Sequence, residues 1–549
     1  MNPQPPVTNM RIEARTSSGG GGAPADSPGM RDQLEAWKLR LAQIDWVPWM
    51  IIGFGALLRF FLLGIKPPHF DEGINGWFVD AHIVKDGFYK YDPTNYHGPL
   101  HFYVLFLSQT LLGRNVWALR LPVVLVSILC VWLTFKFEPF AGRTAVRIAA
   151  LAMAVSPGFV FYGRYSIHEV WLVLFSMLFI LGLLGLWKFG TSKYLWCAGM
   201  GFAGMVLTKE TYIIHLGCAA IAAGVCYVSN SLSRLPDARP AKQKWSYVDL
   251  AVVIAVSIAL IVFFYSGTFF HWHGVKDIFN AYAAWFKTGH AGNGHEKPFY
   301  YWLKLMAPSF HFSRADCFGY ELPALAGLIL CIFCLRFKNV SLRYLAIYGV
   351  GTLIAYSIVH YKTPWCIISI IWPFLFMFGA AMLALPSKYR RPANVISAIL
   401  LFASLGSEIW LNYFHCTTET EPYVYVQTYN DIFKLTKPIL ALANRNPVFY
   451  EMTGHIIRGS AYPLPWILGD FPHVGYYEND NLPAKMDADF LLVEEDKVAE
   501  VEAKLKESYY TDLMTIRAYQ DPSKIYFNAK MFKDFFPHQA PDFKSKGTN

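Results

Sequence analysis

Long runs of apolar residues alternate with short polar segments along most of the chain. Eleven of these runs approach or reach the length that an α-helix needs to cross about 30 Å of hydrocarbon. They lie at residues 47–65, 115–137, 144–162, 167–188, 194–208, 211–230, 248–270, 321–336, 342–359, 364–385 and 393–413. The pattern predicts a polytopic α-helical membrane protein with about eleven transmembrane helices, within a range of 11 to 13.

A further apolar run at 99–113 is only marginally long enough to cross a membrane. Every short basic loop lies on one side if the other runs cross and the N-terminus is cytoplasmic, and counting 99–113 as a span breaks this order. We interpret 99–113 as re-entrant or interfacial, and an additional true span stays open. The topology predicts a protein of the cell inner (cytoplasmic) membrane, with outer loops 66–98 and 271–320.

The two ends of the chain differ in composition from its apolar middle. Residues 1–30, rich in Gly, Ser and Pro, predict a disordered cytoplasmic tail. Residues 31–45 carry apolar side chains at helical spacing and predict an amphipathic interfacial helix. Residues 46–414 form the predicted transmembrane domain. In 415–549, short strand-like segments flank a helical one, which predicts a small extracytoplasmic α/β domain.

Composition excludes a soluble protein. Of the 549 residues, 54% are hydrophobic and 16% are charged, and the mean hydropathy is +0.29. A soluble chain carries about 25% charged residues, so this chain cannot cover its apolar side chains with a polar surface. The basic cytoplasmic loops account for the net charge of +9, and we expect no nucleic-acid partner. The pair Cys331 and Cys334 lies in an apolar run and is predicted to be buried rather than metal-binding.

The unusual polar residues lie at the outer ends of the predicted helices. They are Asp71 and Glu72 after the first span, Arg164, His168 and Glu169 at a second turn, Lys209 and Glu210 at a third, and His360, Tyr361 and Lys362 at a fourth. Cations at this level can hold a lipid-linked phosphate by neutralising its charge. A carboxylate beside them can take a proton from an attacking acceptor. The pattern favours a reaction centre at the outer membrane surface.

Simpler interpretations exist for each of these residues. An Asp-Glu pair after a span is often a solvated loop, and Lys209 or Lys362 alone fits a lysine whose charged end reaches the interface. Arg59, inside the first span, requires a partner or a similar path to water. His271 and His273 form a pair two residues apart that lacks a third placed metal ligand.

Five ordered motifs make the chain resemble the polytopic GT-C glycosyltransferases. The protein O-mannosyltransferases and the aminoarabinose transferases of lipid A are the nearest well-described relatives. The motifs are FDEGING, HGPLHFYVLFLSQTLLGRNVWALRLPVVL, SPGFVFYGRYSIHE, LTKE and HYKTPWCIISIIWPFL. The segments YVYVQTYND and YPLPWILGDFPHVGYY add a closer likeness to the prokaryotic flippase-activity-associated proteins of N-glycosylation gene neighbourhoods. The resemblance covers roughly residues 45–480, and the WWDYG motif of oligosaccharyltransferases is absent.

The resemblance implies an inverting transferase that uses a polyprenyl-phosphate-linked sugar on the outer face of the membrane. Asp71 is the implied general base, Glu72 orients it or shares its role, and Glu169 positions the sugar or the acceptor. The implied ligands of the donor phosphate are Lys209, Lys362, Tyr361 and Arg164.

The implied partners are the lipid bilayer, the lipid-linked sugar and an acceptor that is a protein, a lipid or a polysaccharide. No cofactor is required by this hypothesis, although adjacent carboxylates with nearby histidines are compatible with a divalent metal. Two rival functions stay open. A flippase for lipid-linked sugars would line a path with buried charges near the bilayer midplane. A catalytically silent scaffold would keep the fold and bind partners through 415–549.

Overall fold

The computed structural model describes residues 45–233, 240–291, 294–307, 309–311, 316–318, 320–384, 387–478 and 481–544. The predicted disordered tail at 1–30 lies outside the described residues. The amphipathic helix predicted for 31–45 also lies outside them, apart from Asp45.

Helices dominate the chain up to residue 414. In order they are α1 (Trp46–Phe60), α2 (Phe70–Phe78), α3 (Leu100–Leu112), α4 (Val116–Phe135), α5 (Glu138–Ala141), α6 (Arg143–Val155), α7 (Pro157–Tyr162), α8 (Glu169–Phe189), α9 (Ser192–Val206), α10 (Tyr212–Ser233), α11 (Tyr247–Tyr265), α12 (His273–Ala291), α13 (Tyr301–Met306), α14 (Leu322–Leu330), α15 (Val340–Ile358), α16 (Ile367–Ala384) and α17 (Ser387–Ile409). Tighter or wider helical turns occupy Val79–Val84, Cys331–Arg336, Pro364–Cys366 and Trp410–Phe414.

All of the eleven predicted apolar runs are helical. Among the described residues, six helical segments are long and apolar enough to cross a membrane: Val116–Phe135, Glu169–Phe189, Tyr212–Ser231, Tyr247–Tyr265, Pro364–Ala381 and Lys388–Phe414. Trp46–Phe60, Leu100–Leu112 and Leu322–Arg336 are shorter apolar helices. The chain is therefore built from several membrane-length helices, and the count of eleven spans stays a prediction.

Burial orders these helices from the centre of the bundle outward. The segment Pro364–Ala381, which includes most of α16, is 89% buried inside the protein, whereas Tyr247–Tyr265 in α11 is 11% buried. Ile254 and Ile258 on α11 are largely exposed despite their apolar side chains. An apolar helix that exposes such residues fits a lipid-facing position, since lipid does not penalise an apolar surface.

A five-stranded sheet forms the centre of the C-terminal part. Its strands are β3 (Gly454–Ile457), β4 (Val474–Tyr477), β5 (Phe490–Glu494), β6 (Tyr509–Met514) and β7 (Ser523–Asn528), and a separate hairpin earlier in the chain joins β1 (Ser309–His311) to β2 (Asp316–Phe318). The order across the sheet is β4-β3-β5-β7-β6, with β3 parallel to β4 and β5 and with β7 antiparallel to β5 and β6.

Three helices accompany this sheet, α18 (Ile432–Arg445), α19 (Leu464–Ile467) and α20 (Val498–Glu502), with single turns at Pro447–Glu451, Glu495–Lys497 and Lys533–Phe535. Buried Ile432, Leu435 and Ile439 on α18 lie in one apolar core with buried Phe490 and Leu492 on β5. This arrangement agrees with the predicted small α/β fold.

Arg59, inside α1, finds partners within the protein. Its guanidinium donates to the Ser127 hydroxyl at 2.7 Å and to the carbonyl oxygens of Gly55, Ala154 and Met153 at 2.9, 3.1 and 3.2 Å. An arginine inside a predicted span requires a partner, and here neutral hydrogen-bond acceptors supply it. Through these bonds Arg59 links α1 to α4 and α6.

A buried ion pair joins the first outer loop to α4. The Arg120 guanidinium donates to both carboxylate oxygens of Glu72, at 2.9 and 2.7 Å, and both side chains are fully buried. Backbone N–H groups of His69 and Ser166 donate to the same carboxylate at 2.9 Å each. Arg120 also donates to the carbonyl oxygens of Leu63, Lys66 and Pro67. The ion pair and its hydrogen bonds thus fix the chain that follows α1 against α4.

The pair also changes the acidity of Glu72. Burial acts to raise its pKa, but the charge and hydrogen bonds of Arg120, with the backbone donors of His69 and Ser166, outweigh burial and leave the pKa below its ordinary value. A carboxyl whose pKa is lowered by folding stabilises the protein above the unfolded pKa, and this stabilisation is lost as the pH falls through the folded pKa.

We expect Glu72→Gln to lower the free energy of unfolding by about 3 to 5 kcal/mol, because it leaves Arg120 as an uncompensated buried charge. Thermal unfolding of the purified protein in detergent measures the difference. The difference from wild type persists above pH 4.5, the ordinary pKa of glutamate, and shrinks below it. Asp71→Asn, which removes the adjacent carboxylate, is the matched control and leaves the unfolding temperature unchanged. Equal unfolding temperatures for both variants would contradict the assignment.

Candidate active site

A cavity of about 300 Å³, here called the central cavity, is lined by residues from the ends of several helices and by Tyr425, Val426 and Arg517 from the C-terminal part of the chain. Four residues predicted from the sequence line it, namely Asp71, Glu169, Lys209 and Tyr361. They come from α2, from the first turn of α8, and from the connections after α9 and α15. The structure therefore gathers four chemically active side chains from four distant parts of the sequence.

Asp71 is held in the first turn of α2 by the cap of that helix. His69 is the N-cap residue, and its Nδ1 accepts the Asp71 backbone N–H at 3.1 Å. Its Nε2 lies 2.8 Å from the carbonyl oxygen of Tyr425 and donates the remaining ring proton to it. Glu72 completes the cap as described above, while the Asp71 side chain stays 32% exposed toward the cavity. The two adjacent carboxylates thus face different surroundings.

Glu169 and Lys209 form a buried ion pair in the wall of the cavity. The Ser369 hydroxyl donates to the other oxygen of Glu169 at 2.7 Å. Beside this pair, the Glu210 carboxylate lies 3.0 Å from His97 Nδ1, within hydrogen-bonding distance. The wall of the central cavity therefore combines the Lys209 ammonium with the Glu169 carboxylate, whereas Glu210 does not line this cavity. Burial acts to lower the pKa of Lys209, but neighbouring groups, Glu169 and Glu210 among them, outweigh burial and keep the ammonium charged.

Histidine rings form the part of the wall between Asp71 and Lys209. The His168 ring lies 4.7 Å from that of His97 and 4.5 Å from that of His101, measured between centroids. Burial, followed by the His101 and His97 rings, lowers the pKa of His168 well below its ordinary value, so that His168 is neutral at physiological pH.

Arg517, a cation from the C-terminal domain, also lines the central cavity and was not predicted from the sequence. Arg517 stacks over the Phe70 ring, 3.9 Å from its centroid, and donates to the Ser460 hydroxyl at 2.6 Å. Its Nη1 is buried and has no hydrogen-bond partner among the described residues. Burial and Arg458 lower its pKa to about 10, and Asp71 acts in the opposite direction, so Arg517 remains a cation at neutral pH.

Two predicted phosphate ligands do not line the central cavity. Arg164 donates to the carbonyl oxygens of Phe61 and Leu62, at 2.9 and 2.7 Å, and lies over the Tyr413 ring. Lys362 donates to the carbonyl oxygens of Lys297, at 3.0 Å, and Val359. Both cations are engaged by backbone oxygens, so the structure gives each a role in holding loops. Glu72 does not line the cavity either, since its oxygens are occupied by Arg120.

Toward the helix ends, the central cavity continues into a smaller space of about 80 Å³, here called the lateral slot. The two spaces share His97, Lys209, Tyr361 and Trp365. The lateral slot is further lined by aromatic side chains, among them Trp285, Trp302 and Tyr356. The slot therefore combines aromatic surface with the charged Lys209 and Glu210, a mixture that suits the junction between a lipid chain and its charged head group.

No group of three or more His, Cys, Asp or Glu side chains within the described part of the chain is arranged to hold a metal ion. The rings of His271 and His273 lie 6.2 Å apart and gain no third ligand of these types there. Whether a divalent metal takes part stays a prediction.

Comparison with known proteins gives the class of this fold. Residues 96–264 match the family model described as dolichyl-phosphate-mannose-protein mannosyltransferase. Crystal structures of ArnT from Cupriavidus metallidurans share the fold. The complex with undecaprenyl phosphate is 14% identical with a TM-score of 0.55, and the alignment covers 90% of this chain and 99% of ArnT. The apo form is 13% identical with a TM-score of 0.56, covering 91% and 99%.

The oligosaccharyltransferase of Archaeoglobus fulgidus is 12% identical with a TM-score of 0.47, covering 87% of this chain and 73% of the other. No curated protein sequence matches this chain significantly. The predicted resemblance to the GT-C glycosyltransferases is confirmed at the level of the superfamily. The likeness to the flippase-activity-associated proteins stays a prediction.

The turn that carries Lys209 depends on a close backbone approach at Gly98. The N–H groups of Gly98 and Leu100 donate to the carbonyl oxygens of Thr208 and Leu207 at 3.1 Å each. A Cβ atom at Gly98 would lie 2.2 Å from the Leu207 carbonyl group, which is backbone and cannot move aside cheaply. Position 98 therefore fixes both His97 and Lys209.

We expect Gly98→Ala to lower stability by about 1 to 3 kcal/mol through this overpacking. Thermal unfolding in detergent measures the effect. The matched control is Gly217→Ala in α10, where a Cβ atom meets nothing within 4 Å. If both variants unfold at the same temperature, the close contact at Gly98 is not required.

Proposed function

We propose that the protein is an inverting glycosyltransferase that moves a sugar from a polyprenyl-phosphate carrier to an acceptor on the extracytoplasmic face of the cytoplasmic membrane. The observation that carries the proposal is the placement of Asp71, Glu169 and Lys209 around one cavity that continues into the aromatic lateral slot. The family-model match and the fold shared with ArnT, whose structure holds undecaprenyl phosphate, support the lipid-linked donor.

Asp71 acts as the general base in this proposal. It takes the proton from an acceptor O–H group while the acceptor oxygen attacks the anomeric carbon, and the bond from that carbon to the phosphate oxygen breaks. The polyprenyl phosphate leaves with the bonding electron pair, and the configuration at the anomeric carbon inverts. Among the neighbouring carboxylates, Asp71 fits this role because its side chain faces the cavity and is free of an ion pair with a lysine or arginine in the described structure.

The phosphate is held by the cations of the cavity wall. Lys209 lies where the lateral slot meets the central cavity, so a lipid chain in the slot brings its phosphate to this ammonium. Arg517 offers its unpartnered Nη1, and Tyr361 offers its phenol group. Burial, with Tyr96 and Asp71, raises the pKa of Tyr361, so the phenol remains a hydrogen-bond donor. These groups stabilise the negative charge that develops on the leaving phosphate.

Glu169 and Glu72 act indirectly in this scheme. Glu169 fixes the position of the Lys209 ammonium through their ion pair and can position the sugar from the cavity wall. Glu72 orients the helix turn that carries Asp71, in agreement with the orienting alternative for this residue. In this scheme Arg164 and Lys362 stabilise loops by donating to backbone carbonyl oxygens, and they do not bind the lipid-linked donor.

The first test compares wild type with Asp71→Asn in transfer from radiolabelled polyprenyl-phosphate sugars to acceptors isolated from the cell envelope. We expect Asp71→Asn to slow transfer by about 100- to 10,000-fold, the range that a general base contributes. Binding of undecaprenyl phosphate and the unfolding temperature serve as controls and stay near wild type. Equal activity of the two proteins would remove Asp71 from the mechanism, and consumption of no donor by wild type would favour a flippase or a scaffold.

A second test concerns Arg517. We expect Arg517→Ala to weaken binding of undecaprenyl phosphate by about tenfold to a hundredfold, because a hydrogen bond to a charged group contributes about 1.5 to 3 kcal/mol. Arg445→Ala removes an exposed arginine from α18 of the same domain and is the matched control. Affinity is measured with labelled lipid in detergent. An unchanged affinity in Arg517→Ala would show that the C-terminal domain supplies no phosphate ligand.

A further inference from the structure

A second large cavity, here called the outer groove, adjoins the central cavity. It has a volume of about 410 Å³ and shares Tyr425 and Val426 with the central cavity. Its other walls come from the loop before α13, from residues 419–429 and from Ala518 and Tyr519 of the C-terminal domain. The proposed reaction leaves the outer groove without a role.

Tyrosines dominate the described lining of the outer groove. There are six: Tyr300, Tyr301, Tyr320, Tyr425, Tyr429 and Tyr519. Tyr519 is fully exposed and Tyr300 is 60% exposed, so their rings are accessible to a ligand. A tyrosine offers an apolar ring face and a polar hydroxyl at its edge. A sugar ring has the matching surfaces, with C–H groups on its faces and hydroxyl groups around its rim.

The charges of the outer groove are balanced. Its described lining contains two lysines, Lys297 and Lys304, and two glutamates, Glu419 and Glu421. A site for phosphate or for a strongly acidic sugar requires an excess of cations. Balanced charges among tyrosines therefore favour an uncharged, hydroxyl-rich ligand.

Backbone strain marks the same walls. Val426 has a φ of 52° and Tyr519 a φ of 59°, both in the left-handed region that non-glycine residues avoid. Val426 is β-branched, for which this conformation is especially unfavourable, and it lies at the junction of the two cavities. Strained residues of this kind persist where the surrounding structure fixes them, commonly at ligand sites.

We propose that the outer groove binds the acceptor and that this acceptor is a neutral glycan. The volume falls in the range of about 300 to 1,000 Å³ that small-molecule sites occupy. The inference rests on the proposed function, because the groove gains its meaning from opening beside Asp71. A sugar held between Tyr300 and Tyr519 directs a hydroxyl group past Tyr425 into the central cavity. The donor arrives from the lateral slot, which shares Lys209 with the central cavity and no described lining residue with the outer groove.

The test uses the full-length protein in lipid nanodiscs and saturation-transfer NMR. The probes are three pools released from the envelope of the cell that makes this protein: neutral oligosaccharides, acidic oligosaccharides and peptides. Binding of undecaprenyl phosphate is measured in parallel. We expect the neutral pool to bind, and Tyr519→Ala and Tyr300→Ala each to weaken this binding by up to about tenfold, the loss of one aromatic contact.

The matched control is Tyr247→Ala, which removes a tyrosine that is 78% exposed at the start of α11. It leaves both ligands unaffected, and the two groove variants leave undecaprenyl phosphate binding unchanged. Selective binding of the acidic or the peptide pool, or neutral binding that Tyr519→Ala and Tyr300→Ala do not weaken, would overturn the inference. If the lipid binds and no pool does, the inference fails alone. If the lipid does not bind either, the proposed function fails with it.

Discussion

The ion pair between Glu72 and Arg120 determines how a membrane protein can present a carboxylate at the end of its first helix. Two adjacent carboxylates near lipid repel each other and are costly to desolvate. Here one of them is neutralised by a buried guanidinium, with two backbone N–H groups completing its coordination. Because Glu72 is satisfied in the interior, Asp71 can face the central cavity at a fixed position. Glu72 thus supports the loop, and Asp71 is the proposed reactive group.

In the proposed reaction, the lipid-linked donor and the acceptor occupy different cavities, because the linings of these cavities differ in chemistry. The lateral slot is aromatic and ends at Lys209, whereas the outer groove is lined by tyrosines and by charges of both signs. The central cavity, which shares lining residues with each of them, is lined by Asp71 together with the cations Lys209 and Arg517. In the proposed reaction, the lipid-borne phosphate reaches Lys209 from the lateral slot and the acceptor approaches Asp71 from the outer groove. Entry from two separate cavities suits an attack from the face opposite the leaving group.

The sequence predicted the position of a residue well where the order of the helices across the membrane alone determines that position. Asp71, Glu169, Lys209 and Tyr361 meet because helix ends on one side of a membrane share one level, and basic loops reveal that side. Sequence could not separate Tyr361 from Lys362. These neighbours lie in an extended segment, where Tyr361 bridges to Glu296 and successive side chains point in opposite directions. The orientation of Arg164 could not be predicted from the sequence either, because it depends on the carbonyl oxygens of Phe61 and Leu62 just after α1.

Arg517 had no signal in the sequence, since an arginine in a polar domain is ordinary and its position depends on how that domain meets the helices. Its charge nevertheless matters for the electrostatic balance of the site. Lys209 is already paired with Glu169, so an arriving phosphate can recruit it only by sharing it with that carboxylate. Arg517 has an unoccupied donor, and the nearby charges that act on it are those of Arg458 and Asp71. Among the described cations that line the central cavity, Arg517 is the one with a buried donor that lacks a partner, which makes the C-terminal part of the chain part of the proposed active site.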